Sequence, residues 1–521
     1  MISTSGVGSG RGAQGLGNRG EESADARLWQ QTRRLLLVGL AFYLVAALFG
    51  EGFIHPDEHF QILEFASARL RLSPLADLPW EFQERIRPSL QPVLAMGALW
   101  LFRSVGIVSP FVVATALRTC IAVLAWVVSS RAVLFLSRRL VRKQSRALLA
   151  FGVMGLWFMP LLSARFSSEN LSAILLLSSL LYLGPAADER PCPVSARAFF
   201  VAGVLWGLSF FARFQIAFAL VGISLWIGFV ARPGLFRIAL LALGCLSVGL
   251  ACVALDSWFY GQLTFSPLRY FVANLIEHRA AEWGVEPWWW YIPQAALWTF
   301  PLIGLPLVVF ALRGVAKSRQ DALLFWTVPF LLGHAAIGHK ELRFLFPLAI
   351  PVVYLAVRGV DSMLQGKSRP VLPRWAVPVA VLGNLILFGL RMLIPLSSEV
   401  RLAHAVWDVA DLRGPTTVVT VKTPLDEWFG LPMHFYRHPA VHSEVAADLA
   451  VLARRLSAST APTTYVVLST WDAVPLGPGT SALVLYCYPP AWTEPFLPGP
   501  VKRLITPLRL FEVRGAARAM E

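Results

Sequence analysis

The sequence is dominated by apolar runs about as long as a bilayer is thick. They lie near 35–54, 111–136, 147–163, 170–186, 198–211, 214–231, 238–258, 290–312, 321–337, 343–359 and 375–395. A hydrocarbon core needs roughly 20 helical residues per crossing, and lipid offers no partner to a free peptide group. Each crossing must therefore be a helix that closes its own hydrogen bonds. The alternating pattern of a barrel strand is missing until the C-terminal part of the chain. The expected fold is an all-α polytopic membrane protein with about 11 transmembrane helices, consistent with 56% hydrophobic and only 15% charged residues.

Charge arranges these spans. A formal net charge of +15 would suggest nucleic acid in a soluble chain, but the arginines cluster in short segments between apolar runs, where topology explains them and no nucleic acid is implied. Arg27, Arg33 and Arg34 place the N-terminal segment inside. Arg138, Arg139, Arg142, Lys143 and Arg146 place their loop inside too. An even number of crossings must separate the two, so 91–108, which carries Arg103, reads as an interfacial or re-entrant segment. The basic loops at Arg232 to Arg237, at Arg313, Lys317 and Arg319, and at Arg358 to Arg374 then all fall inside. "HPDEHFQ", "ARFSSEN", "FARFQ", the segment ending "EPWWWY" and "GHKELRF" all fall outside, where they are able to meet.

Three regions follow. Residues 1–26 are Gly/Ser-rich and read as a disordered leader. Residues 27–396 form the membrane domain. Residues 397–521 turn to short β-rich runs, "TTVVTVKT", "TTYVVLST" and "SALVLYCY", separated by turn formers, and read as a small α/β extramembrane domain. Five cysteines without a CxxC pair offer neither a disulfide framework nor a zinc site.

Chemistry gathers at the outer rim. In "HPDEHFQILE", Pro56 suits a first helical turn, which places Asp57 and Glu58 near a positive helix end where ionised carboxylates are favoured. A carboxylate there serves either as a helix cap or as a general base toward an attacking hydroxyl. His55 and His59, four residues apart, also suggest a metal site, although their spacing about Glu58 departs from the zinc-protease pattern. In "GHKELRF", His339, Lys340 and Arg343 suit an anionic head group, phosphate above all. Arg165, Glu169 and Arg213 interrupt apolar hairpins at their outer ends, so each needs water, an ion pair or a ligand. Trp289, within "PWWWY", belongs to an interfacial aromatic belt or stacks on a sugar.

In order and approximate spacing, "HPDEHFQILE", "WEFQERIRPSLQP", "ARFSSEN", "DSWFYGQLTF" with "PWWWY", and "GHKELRFLFP" resemble the dolichyl-phosphate-mannose-dependent mannosyltransferases, which extend the N-glycan precursor and the glycosylphosphatidylinositol core. The resemblance covers roughly residues 35 to 395; "RFSSEN" is a loose version of the family's segment, and the C-terminal region has no counterpart in it. It implies a GT-C type glycosyltransferase fold, a polyprenyl-phosphate sugar as donor and no separate cofactor or metal. Asp57 matches the family's catalytic acidic residue with Glu58 in support, and His339, Lys340, Arg343 and Arg213 fall near the donor phosphate. His55, Glu64, Arg165 and Trp289 line the substrate cavity. The implied partners are membrane lipids, the lipid-borne donor and a glycan or glycolipid acceptor. The implied site faces the periplasm or lumen.

A transporter or lipid flippase is the main competing reading. It places ionisable residues near the bilayer midplane and builds two related halves, whereas here the charges gather at outer span ends and no half resembles the other. A metal-dependent hydrolase built on His55 and His59 is the second.

Overall fold

A computed structural model describes residues 30, 32–183, 194–365, 376–425 and 427–514, apart from 429, 460–462, 478, 491–492 and 494–505. The expected leader lies outside the described residues, as does most of the basic stretch after Gln365. The membrane part is a helical bundle, but among the described residues eleven continuous spans are not found. Among the described residues, five helices are long and apolar enough to cross a bilayer: Thr32–Phe49, Pro110–Ser137, Phe214–Ala231, Leu235–Tyr260 and Leu342–Leu364. Four shorter apolar helices, Ser168–Leu183, Ala196–Ala212, Pro301–Ala316 and Ala322–Ala336, pack among them.

Backbone breaks explain the difference. The run expected at 147–163 divides into Lys143–Gly155 and Phe158–Ser163 because Leu156 adopts an extended conformation. The run at 290–312 divides at Phe300, whose φ of +72° ends one helix before Pro301 opens the next. Pro378–Leu393 meets Ser398–Arg413 at 47°. The ambiguous 91–108 run supplies the 15-residue helix Leu90–Ser104.

Small residues allow close helix packing. A Cβ on Gly203 would come within 2.0 Å of the Leu241 carbonyl oxygen, and one on Gly314 within 1.8 Å of that of Leu355. In lipid, where apolar surface gains little from burial, such contact is what holds helices together.

The two ends of the bundle differ in chemistry. Basic loops meet at one end, where Arg139 pairs with Asp321 at 3.5 Å, Arg358 donates to the Arg139 carbonyl at 2.7 Å and Asp361 accepts from the Val141 and Arg142 amides. The helix Pro110–Ser137 ends at that pole and begins beside Tyr436, where Phe111 stacks on that ring. Its 28 residues separate the poles by roughly 40 Å at 1.5 Å per residue.

The C-terminal region forms a five-stranded mixed sheet. Its strands, in spatial order, are Val441–Ala446, Thr416–Val421, Thr463–Leu468, Leu508–Arg514 and Ser481–Tyr488. Helix Ser398–Arg413 covers one face through Leu402, Val406 and Ala410. Val400 and Trp407 of that helix share a core with Phe53 and Phe60 of the loop after the first helix, as do Met433, Phe435 and Tyr436. The sheet region is thus fused to the loop that carries Asp57.

Candidate active site

Pro56 opens the turn that presents the two carboxylates, and the Phe60 amide reaches the Pro56 carbonyl at 2.9 Å. Consecutive helical side chains diverge by about 100°, so Asp57 and Glu58 cannot share one environment. Asp57 turns to Arg343, at 2.7 Å, and to Arg87, at 3.6 Å. Glu58 turns to Arg165, at 2.8 Å. Burial opposes the charge on Asp57, but Arg343, His55 and Arg87 outweigh it and hold the carboxyl well below the usual carboxylate range. Glu58 goes the other way, because burial exceeds the pull of Arg165 and raises it.

The "GHKELRF" segment closes over Asp57. Arg343 reaches Glu341 at 2.5 Å and Glu169 at 3.2 Å, and Arg213 holds Glu169 at 2.8 Å. His55 bridges the segments, with its Nε2 2.8 Å from Glu341 and its Nδ1 accepting the Asp57 amide at 3.3 Å. His339 stands 2.9 Å from the same Glu341. Burial disfavours the Glu341 charge, but the bonds from His339 and His55 and the field of Arg343 hold it far down. Three guanidinium groups thus face one another across interleaved carboxylates.

A cleft opens beside this network, lined by Asp57, Glu58, Arg87, Glu169, Arg213 and Tyr270 among others. The buried Nε atoms of Arg87 and Arg213 find no hydrogen-bond partner among the described residues. Unsatisfied cationic donors beside a cavity favour an anionic ligand, since leaving them dry costs about 1–3 kcal/mol each.

The structure separates the residues singled out in the sequence. It brings together Asp57, His55, His339, Arg213 and Arg343. Lys340 departs: its ammonium turns to the carbonyls of Ile337 and Gly338, drawn by the negative end of helix Ala322–Ala336. Arg165 is consumed by Glu58 and by the Gly50 and Gly52 carbonyls, so it clamps the loop. Glu64 does not line this cavity. It accepts from Ser73 and the Phe435 amide and bonds His59 Nε2 at 2.9 Å, tying the loop to the C-terminal region. His59 therefore points away from His55, and among the described residues no group of three His, Cys, Asp or Glu is placed to hold a metal. Trp289 is half exposed, near where the Glu286 amide meets the Gly338 carbonyl.

Sequence reasoning missed Arg87. Its position is fixed from behind by "DSWFYGQLTF": Asp256 accepts the Ser89 amide at 2.8 Å and hydroxyl at 2.6 Å, and Tyr260 donates to the Arg87 carbonyl at 2.8 Å. That motif is scaffolding for the loop opposite it. Only the pairing of two motifs, each already visible, could have revealed the arginine between them.

A multi-helix membrane bundle with this rim has the GT-C glycosyltransferase fold. It superposes on ArnT from Cupriavidus metallidurans bound to undecaprenyl phosphate with a TM-score of 0.51, at 12% identity, over 92% of this chain and 97% of that one. The chain belongs to the Alg9-like mannosyltransferase family, whose model matches residues 34–411. It is 26% identical to mannosyltransferase APTG1 of Arabidopsis thaliana over 349 residues, 64% of this chain and 60% of that protein. It is 25% identical to the human GPI alpha-1,2-mannosyltransferase 3 over 338 residues, 64% of this chain and 58% of that one. The chain thus matches about 60% of the length of these relatives.

Proposed function

We propose that the chain transfers mannose from a polyprenyl-phosphate donor to a lipid-linked or surface glycan on the outer side of the membrane, with inversion. The observation that carries this reading is the convergence of a deprotonated carboxylate at Asp57 with three guanidinium groups: Arg87 and Arg213 line the same cavity as Asp57, and Arg343 meets Asp57 at 2.7 Å. In a single displacement the acceptor hydroxyl gives its proton to Asp57 while its oxygen bonds the anomeric carbon from the face opposite the phosphate. The bond from that carbon to the phosphate oxygen breaks, and its electron pair leaves with the lipid phosphate. Charge then grows on the leaving phosphate, where fixed guanidinium dipoles and charges stabilise it best.

The Asp57–Arg343 contact adds a control step. A donor phosphate competes for the same guanidinium, and as Arg343 shifts its bonds toward phosphate the carboxylate loses its strongest cation and becomes a better base. Base strength and donor occupancy are thereby linked. The test is transfer of radiolabelled mannose from polyprenyl-phosphate mannose by membranes carrying the wild type or Asp57→Asn at matched expression. Loss of a positioned base lowers the rate by about 10²–10⁴. Near-wild-type transfer by Asp57→Asn would reject Asp57 as the base, and no transfer by the wild type would reject the reading itself.

A further inference from the structure

Glu58 also lines a second cavity, which Arg87 does not line, together with Gly52, Arg118, Arg165, Phe166 and Tyr436. The charges of this cavity are uneven. Glu58 and Arg165 pair with each other, and Arg165 has its remaining donors on the Gly50 and Gly52 carbonyls. Arg118, only 5% exposed, has no carboxylate within ion-pair distance among the described residues. Its Nε donates to the Ala47 carbonyl at 2.9 Å and one terminal nitrogen to Thr115 Oγ1 at 2.7 Å. Both partners are neutral. A buried guanidinium without a counter-ion is costly to keep, and the other terminal nitrogen has no partner among the described residues. Tyr436 adds a phenol with no hydrogen bond among those residues to the wall.

We propose that this second cavity is an acceptor subsite that binds an anionic substituent, phosphate or carboxylate, on the acceptor sugar through Arg118, with Tyr436 donating a second hydrogen bond. This rests on the transferase reading above. A carboxylate pair between the cavities is suited to it: Asp57 belongs to the donor side, while Glu58 has one oxygen on Arg165 and its other edge available to an acceptor hydroxyl. The anion supplies the counter-charge that Arg118 lacks. Gly52 makes the wall possible, since its φ of +94° and a Cβ-to-Ser397 amide distance of 2.6 Å exclude any side chain there.

The experiment is a thermal-unfolding titration of the purified full-length protein in detergent, followed by tryptophan fluorescence, with mannose 6-phosphate and with methyl α-mannoside. The wild type, Arg118→Gln, Tyr436→Phe and Arg343→Gln are compared. We expect mannose 6-phosphate to raise the midpoint of the wild type. The half-effective concentration should rise at least about tenfold in Arg118→Gln, the loss of one charge-assisted bond, and several-fold in the isosteric Tyr436→Phe, which reports even if Arg118→Gln does not fold. Arg343→Gln should retain the effect, and methyl α-mannoside should not distinguish the variants. No shift in the wild type, an unchanged response in Tyr436→Phe and in any folded Arg118→Gln, or loss in Arg343→Gln alone would overturn the proposal, the last by moving the anion to the donor cavity. The readout needs no turnover, so a failure here is separable from a failure of the transfer assay.

Discussion

Arg343→Gln tests the donor side most directly. Arg343 meets Asp57 at 2.7 Å, Glu341 at 2.5 Å and Glu169 at 3.2 Å. Removing one partner of a buried ion pair costs about 3–5 kcal/mol when the remaining charge is stranded. Here none is stranded, since Glu169 keeps Arg213, Glu341 keeps His55 and His339, and Asp57 keeps Arg87. The stability loss should fall at or below the lower end of that range, leaving a folded protein. The binding loss is larger in its consequence: a hydrogen bond to a charged group contributes about 1.5–3 kcal/mol, or roughly 10- to 150-fold in an equilibrium constant. With radiolabelled donor varied at fixed acceptor, Arg343→Gln should raise the donor KM by that factor and leave the acceptor KM within about twofold. Arg343→Lys should be intermediate, because it keeps the charge and loses the fork. A folded Arg343→Gln with an unchanged donor KM would refute the assignment of this guanidinium to phosphate.

Three further outcomes are expected. His55 is held above its ordinary value: burial and Arg343 press it down, but the carboxylates of Asp57, at 3.4 Å, and Glu341, at 2.8 Å, outweigh them. A raised folded value means that its contribution is complete below about pH 6.5 and is lost as pH rises through that folded value; thermal midpoints from pH 6 to 9 should fall more steeply for the wild type than for His55→Asn. Glu64→Ala strands the Phe435 amide and His59, at about 1–3 kcal/mol for each buried group, and limited proteolysis should then cut the C-terminal region faster. Asp256→Asn replaces one of the oxygens that hold Ser89 and Ser266, so Arg87 should shift and the donor KM rise several-fold with the acceptor KM unchanged.

The reach of the sequence is clear from particular residues. Charges at span ends are costly enough to stand out, so Asp57, Arg213 and Arg343 were legible before any contact was known. Their pairing was not. Whether Arg165 binds a ligand or clamps a loop depends on where the Gly50 and Gly52 carbonyls point, and Lys340 was diverted by a helix end that charge patterns do not display. The count of eleven spans is not recovered among the described residues for a related reason: hydropathy measures how much apolar chain is present, not where Leu156 or Phe300 turns it. In the C-terminal region the three quoted β runs became the strands Thr416–Val421, Thr463–Leu468 and Ser481–Tyr488. The strands Val441–Ala446 and Leu508–Arg514, each carrying charged or polar residues, did not stand out.

The arrangement also bears on how such a site avoids spending its donor on water. A permanently strong base beside an anomeric carbon would activate water as readily as a sugar hydroxyl. Here the carboxylate nearest the phosphate cations is the one held lowest, while its neighbour Glu58, raised by burial, is locked to Arg165. Under the proposed mechanism, strong basicity at Asp57 depends on Arg343 being drawn away, and attack depends on a hydroxyl placed from the Glu58 side. The C-terminal segment around Tyr436 closes that side, and Glu64 binds it to the same turn that presents both carboxylates. Under the two proposals, donor recognition, base release and acceptor placement converge on one short stretch of backbone, Pro56 to Glu64, gripped by segments distant in sequence.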